Sequence, residues 1–116
     1  MKQRTRIMYI EYKGDNGIVG DARIGRVTII NDGKSLRYQE KRFSSLRGRG
    51  FKSNYYDVQT REYYWISGCR RDGRDALYSN TVEIDEDVCE EYWAEIRKMP
   101  EKKNVKVFRC EGKYSR

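Results

Sequence analysis

Aromatic residues, 13% of this chain, supply about a third of its apolar residues and its largest ones. Ten Tyr, three Phe and two Trp stand among 116 residues of which only 37% are hydrophobic, and the mean hydropathy is −1.02. Each ring buries roughly 150–250 Å2, so few residues suffice to build a core. Disordered chains lack such residues. Many of the rings fall in short runs with β-branched residues, separated by turn formers. That pattern confines the chain to short strands around a small core. A length of 116 residues fits one domain and excludes large multidomain cofactor enzymes.

The first two thirds read as strands. Arg6–Tyr12 is β-branched and aromatic, and a loop with a tight bend at Asn16-Gly17 follows it. Arg26–Ile30 and Ser35–Gln39 flank Asn31-Asp32-Gly33-Lys34, a hairpin signal because Asn, Asp and Gly tolerate positive φ. A second hairpin is expected from 54–58 through 59–61 to 62–66, and a further turn at Arg71-Asp72-Gly73. One segment reads as a helix, 85–99, ending at Pro100. Asp85 is its expected N-cap, acids fill its first turn, and Arg97 and Lys98 its last. Val88, Tyr92 and Ile96, with Cys89 and Trp93 beside them, form the stripe that packs on the sheet. Val105–Cys110 suits an edge strand blunted by Lys106 and Arg109. The expected fold class is therefore α+β, mostly β: a small barrel-like antiparallel sheet with one C-terminal helix. The chain is expected to form a single domain, 1–116, with a core of about 6–100. The basic start (1–5) and the tail (101–116) are flexible or an edge strand on this reading.

Charge is uneven. The net +7 hides +8 in residues 1–52, balance in 53–80, −7 in 81–96 and +6 in 97–116. The acidic block coincides with the helix, so the remaining surface is more basic than the total implies.

Histidine is absent, which removes the commonest general base and metal ligand. The three cysteines, Cys69, Cys89 and Cys110, lack the paired spacing of a zinc site. Their odd number and the lack of an apolar signal segment after the basic start point to a reducing cytoplasm. No stretch approaches the ~18 apolar residues of a membrane span, so no membrane partner is expected. In Gly14–Gly25 the patterns of a Walker loop, a dinucleotide fold and a calcium loop are all missing, so that stretch reads as architectural. No metal site or cofactor is expected.

The densest basic stretch is Lys41–Lys52: five cations, no acid, and Phe43 and Phe51 near its ends. Its Arg-Gly-Arg-Gly allows close approach to a phosphate chain, with guanidinium groups free to pair or stack. The two Phe are read as core anchors. Tyr55-Tyr56 and Tyr63-Tyr64-Trp65 send neighbours to opposite sheet faces, leaving about half of these rings toward solvent as stacking platforms. Arg70 and Arg71 form a second basic turn. They would also lower the pKa of Cys69, yet a cysteine phosphatase loop needs an arginine where Asp75 stands, and no histidine is available as base.

Tyr9–Gly14 followed by Gly17–Val27 resembles the opening of a group of short uncharacterised bacterial proteins. Gly50-Phe51-Lys52, Tyr64–Cys69 and Val82–Val88 are similar to its later blocks, so that the resemblance spans roughly residues 9–100. Some members carry the name 1-deoxyxylulose-5-phosphate synthase. A thiamine-diphosphate enzyme binds its cofactor between domains of several hundred residues, which a chain of this length lacks. The resemblance implies a bacterial origin and supplies no catalytic residues.

The leading expectation is a non-catalytic module that binds nucleic acid, RNA or single-stranded DNA. Arg42, Arg47, Arg49, Lys52, Arg70 and Arg71 would hold the phosphates, and Tyr56 and Tyr64 would stack. The alternatives are a protein-interaction domain and, more weakly, a thiol-dependent enzyme at Cys69.

Overall fold

A strand apolar at every position from Ile7 to Ile10 has no polar face to give to water, so it must be covered on both sides. The computed structural model, which describes residues 3–14, 20–49 and 53–114, shows how β1 (Gln3–Gly14) achieves this. Its even positions, Met8 and Ile10, point into one core; its odd positions, Ile7 and Tyr9, point into another.

The first core is the inside of a barrel. β1 pairs antiparallel with both β2 (Ala22–Ile30) and β6 (Tyr63–Gly68). Between them lie β3 (Ser35–Tyr38), β4 (Lys41–Ser45) and β5 (Tyr55–Asp57), so that the order β1-β6-β5-β4-β3-β2 returns to β1. Six antiparallel strands thus close a small barrel, which leaves no open edge within the ring. Phe43, Leu36, Val27 and Ile66 fill it, with Tyr64 set edge-on against Phe43 at 4.7 Å between ring centroids.

The second core lies outside the barrel. The upper edge of β2 is shared: β3 takes residues 28–30, while β7 (Asn80–Ile84) runs parallel to residues 22–24 and carries β8 (Val107–Cys110) on its far side. Where one partner leaves and the other arrives stands Gly25. A Cβ there would collide with the carboxylate of Asp85 and the ring of Tyr38, so the position needs a hydrogen. Trp93, Tyr92, Val88, Ile24 and Val82 pack with Tyr9 under the helical segment.

That segment, 86–96, opens as a 3-10 turn (Glu86–Val88), has one α turn (Cys89–Glu91) and ends in a π turn (Tyr92–Ile96). The wide turn brings both Tyr92 and Trp93 inside, at 0% and 1% exposure, and the chain leaves at Lys98 with φ +57°. The helix is shorter than the expected 85–99. Asp85 does not cap it: no side-chain cap bond forms. Its carboxylate instead takes hydrogen bonds from Arg23 Nε (2.8 Å) and the Tyr38 hydroxyl, closing the slot beside Gly25. The stripe itself is as expected, with Val88, Cys89, Tyr92 and Trp93 buried and Ile96 packed against them.

Both expected hairpins form. Asn31, Asp32 and Gly33 all take positive φ between β2 and β3, and β5 and β6 pair antiparallel. β8 is the edge strand expected from residues 105–110, and the tail beyond it returns to the body through Lys113 N–H to Ala76 O (2.9 Å). Two stretches extend the sequence reading: β2 begins at Ala22, ahead of the expected Arg26, and the first part of the basic stretch, Lys41–Ser45, is strand β4. The turn at Asn16-Gly17 lies outside the described residues, as does Phe51.

On the odd face of β1 sits a buried ion pair. Lys13 Nζ lies 2.8 Å from Glu11 Oε2, both side chains are nearly inaccessible, and Glu11 also accepts from the Tyr9 hydroxyl (2.6 Å) and Gly20 N–H (3.1 Å). Removing one partner strands a charge in low dielectric. Glu11→Ala should therefore cost about 3–5 kcal/mol in urea unfolding. A loss below about 1 kcal/mol would show that water reaches Lys13 readily.

Candidate functional site

Among the described residues, the outer surface of the barrel is only half covered. β7, β8 and the helical segment lie over β1 and the adjoining parts of β2 and β6, whereas β3, β4, β5 and the start of β6 face outward. Strand alternation decides which side chains appear there. Leu36, Phe43 and Asp57 point inward; Arg37, Arg42, Ser44, Tyr56 and Tyr63 point outward.

Register arranges these residues in two cross-strand rows. In the first, Thr28 opposes Arg37, and Arg37 opposes Arg42. In the second, Ser35 opposes Ser44, Ser44 opposes Tyr56, and Tyr56 opposes Tyr63. Like charges directly opposite on a sheet destabilise it, and neither Arg37 nor Arg42 has an ion-pair partner among the described residues. Tyr63 is 41% exposed and Tyr56 half-buried, with the Arg61 guanidinium 5.9 Å from the Tyr56 ring centre. Just beyond β4 the chain turns at Arg47 (φ +54°) and Gly48 (φ +81°). Arg47 and Arg49 are exposed there without acidic partners among the described residues. The arrangement offers guanidinium groups beside two accessible rings.

Of the residues singled out from sequence, Arg42 and Tyr56 share this face, and Arg47 and Arg49 lie on the loop leading from β4. Lys52 lies outside the described residues. Tyr64 is corrected: it is 8% exposed, inside the barrel against Phe43 and Tyr12, and offers no face to a ligand. Its position opposite Tyr55, whose hydroxyl donates to Gly33 O at 2.6 Å, puts both on the inner side. Arg70 and Arg71 follow the other end of β6 from Tyr63. Arg37 and Arg61 escaped the sequence reading, and of the neighbours Tyr63 and Tyr64 it chose as stacking ring the one that faces inward. The β3–β4 turn that aligns Arg37 with Arg42 has Gln39 at φ +56°, so it lacks the Asn or Gly that flags a hairpin.

The surroundings of Cys69 oppose thiolate formation. Burial pushes the thiol up, and the nearby Asp75 carboxylate adds to this, outweighing Arg6 and Arg97. Arg70 meets Asp75 through its backbone: its N–H donates to Asp75 Oδ1 at 2.7 Å, which ties the 70–75 turn together. Asp75 is 1% exposed, and its Oδ2 has no hydrogen-bond partner among the described residues. Burial pushes its carboxyl up to about 6, against the pull of the Arg70 N–H and of the Arg97 charge. Among the described residues no group of three or more Cys, Asp or Glu is arranged to hold a metal ion. No helix among them is long and apolar enough to cross a membrane.

Two outcomes follow from this corner. The folded state holds the Asp75 proton more tightly than the unfolded chain does, so its contribution favours folding at low pH. That contribution is lost as pH rises from about 4 toward 6 and beyond. Asp75→Asn keeps the Oδ1 acceptor, and should raise Tm at pH 8 while flattening the pH dependence between 4 and 6; a variant that parallels the parent at every pH would exclude this account. In the folded protein, Cys69, Cys89 and Cys110, all with thiols raised by burial, should resist iodoacetamide at pH 8 and react after denaturation. Rapid labelling of native Cys69 would instead revive the thiol-enzyme reading.

No protein-family model matches this chain, and neither a curated protein nor a solved structure does so.

Proposed function

We propose that this protein is a non-catalytic module that binds single-stranded nucleic acid, RNA or DNA, on the outer face of β3–β6. The observation that carries the reading is the Arg37–Arg42 pair. Two arginines stand directly opposite on neighbouring strands with no carboxylate paired to either among the described residues, a placement that costs folding energy and is relieved by an anion. Arg47, Arg49 and Arg61 extend the positive surface, and Tyr56 and Tyr63 supply ring faces beside it. Phosphate contacts give affinity, and stacking adds about 1–3 kcal/mol per base with little dependence on sequence. A single strand suits this face because its bases are free to lie on the rings, whereas a duplex keeps them stacked inside.

The test is a titration of labelled single-stranded RNA, single-stranded DNA and duplex DNA at two salt concentrations. Five phosphate contacts give a slope near −0.7 per contact, so affinity for the single strands should fall roughly 100-fold between about 50 and 200 mM salt. Arg37→Ala with Arg42→Ala should weaken binding of all sequences alike while leaving Tm unchanged or higher, since a like-charge contact is removed. Tyr56→Ala should cost a further stacking increment of about 1–3 kcal/mol. Absence of binding at the lower salt would overturn the reading in favour of a protein partner for the same face.

A further inference from the structure

Three arginines outside that face meet in a second place. β6 ends at Gly68, the chain turns through Arg70, Arg71 and Asp72 to Gly73 (φ +75°), and Arg97 approaches this turn from the end of the helical segment. The Arg97 guanidinium lies against Gly73, where a Cβ would stand 2.5 Å from its Cζ. It also lies over the rings of Trp93, Phe108 and Tyr92, at 5.0, 5.6 and 5.9 Å from their centres. Its Nε–H donates to Arg71 O and its Nη1–H to the Tyr92 hydroxyl, both at 3.1 Å. Nη2 has no partner among the described residues. Ring contacts and two hydrogen bonds have thus already immobilised this side chain, so a ligand need not order it.

Arg70, Arg71 and Asp72 join Arg97 around one open cleft of about 450 Å3. Arg71 has no acidic partner among the described residues, and Arg70 reaches Asp72 only at 3.4 Å. The Arg74 N–H holds the Asp72 carboxyl below its ordinary range, so Asp72 is charged at neutral pH. Three arginines and one aspartate leave a local charge of +2, which a dianion neutralises and a carboxylate does not.

We propose that this cleft binds a phosphate monoester group, with Arg97 as the fixed anchor and Arg70 and Arg71 closing on the remaining oxygens. Guanidinium donors match phosphate oxygens in pairs, and a fixed, stacked arginine presents them in one orientation. The site is separate from the outer face of the barrel. β6 runs from Tyr63 to Gly68 before this turn, a span of roughly 17 Å at the usual strand rise.

The probes are inorganic phosphate, phenyl phosphate and acetate, followed by nitrogen-15 NMR at the Arg97 Nε–H and the Trp93 indole N–H. Both phosphates should shift these signals saturably, with acetate at least about tenfold weaker. Arg70→Gln with Arg71→Gln should weaken phenyl phosphate at least about fivefold without lowering Tm, and Arg42→Ala should leave it unchanged. A short single strand with and without a 5′-phosphate then separates the sources. A gain of about fivefold from the 5′-phosphate that disappears in the double variant identifies a nucleic-acid end; no gain, with phenyl phosphate still bound, identifies a free ester. The proposal fails if about 20 mM phosphate produces no saturable shift, if acetate matches phosphate, or if the double variant binds as the parent does. This cleft is read at Arg97 and Trp93, and the double variant leaves Arg37, Arg42 and Tyr56 in place, so the outer-face reading can fail independently.

Discussion

The two-sided burial of β1 is the constraint on which the rest of the structure depends. A strand of twelve residues paired along both edges can close a six-stranded barrel only if one of its faces points inward. Its other face is also apolar, so that the barrel cannot end there and must be covered. β7, β8 and the helical segment form that cover. Deeper along the same face the residues become polar, and Tyr9, Glu11 and Lys13 satisfy one another in a buried chain of bonds that also holds Gly20. Asn80 takes the next step, donating to Gly20 O at 2.7 Å, and so ties the cover to the barrel.

The described elements cover one side of the barrel and leave the other open, and the face proposed to bind nucleic acid lies on that open side. Most aromatic rings are used in the two cores or at their margins. Tyr38, Phe43 and Tyr64 fill the barrel; Tyr9, Tyr92 and Trp93 fill the outer core. The cations near the covered side find rings to rest on, as Arg97, Lys102 and Lys113 do over Trp93, Trp93 and Trp65. On the other side Arg61 lies 5.9 Å from the Tyr56 ring centre, whereas Arg37 and Arg42 rest on no ring among the described residues. Arg37 and Arg42 point away from the barrel with Tyr56 and Tyr63 beside them, so what lies under an arginine decides whether it is held in one orientation, as Arg97 is, or free to reorient.

Asp85 illustrates how tertiary contacts override a local signal. It stands where a helix cap is expected, before a run of acids and an apolar stripe. Its carboxylate is worth more in the slot beside Gly25, where Arg23 and the Tyr38 hydroxyl both bond to it, than on the free N–H groups of a first turn that water can reach. The acidic run itself stays exposed, and Arg26 reaches Glu91 at 2.7 Å from the strand below.

Sequence alone determined the elements whose signals are local. The Asn-Asp-Gly turn supplies positive φ, the aromatic and β-branched run Tyr63–Ile66 marks a strand, and Val88, Tyr92 and Trp93 mark a buried stripe; all three are visible without a partner strand. Sequence also marked Arg42, Arg47, Arg49 and Tyr56 as candidates from charge and ring content. Only the tertiary structure decided which ring faces outward, because parity depends on register, and a shift of one residue would exchange Tyr63 with Tyr64. It alone brought Arg37 opposite Arg42 through a turn with no glycine, and Arg97 onto Gly73 across 24 residues of chain. Such contacts are set by how the barrel closes and what covers it, and no stretch of neighbouring residues encodes either.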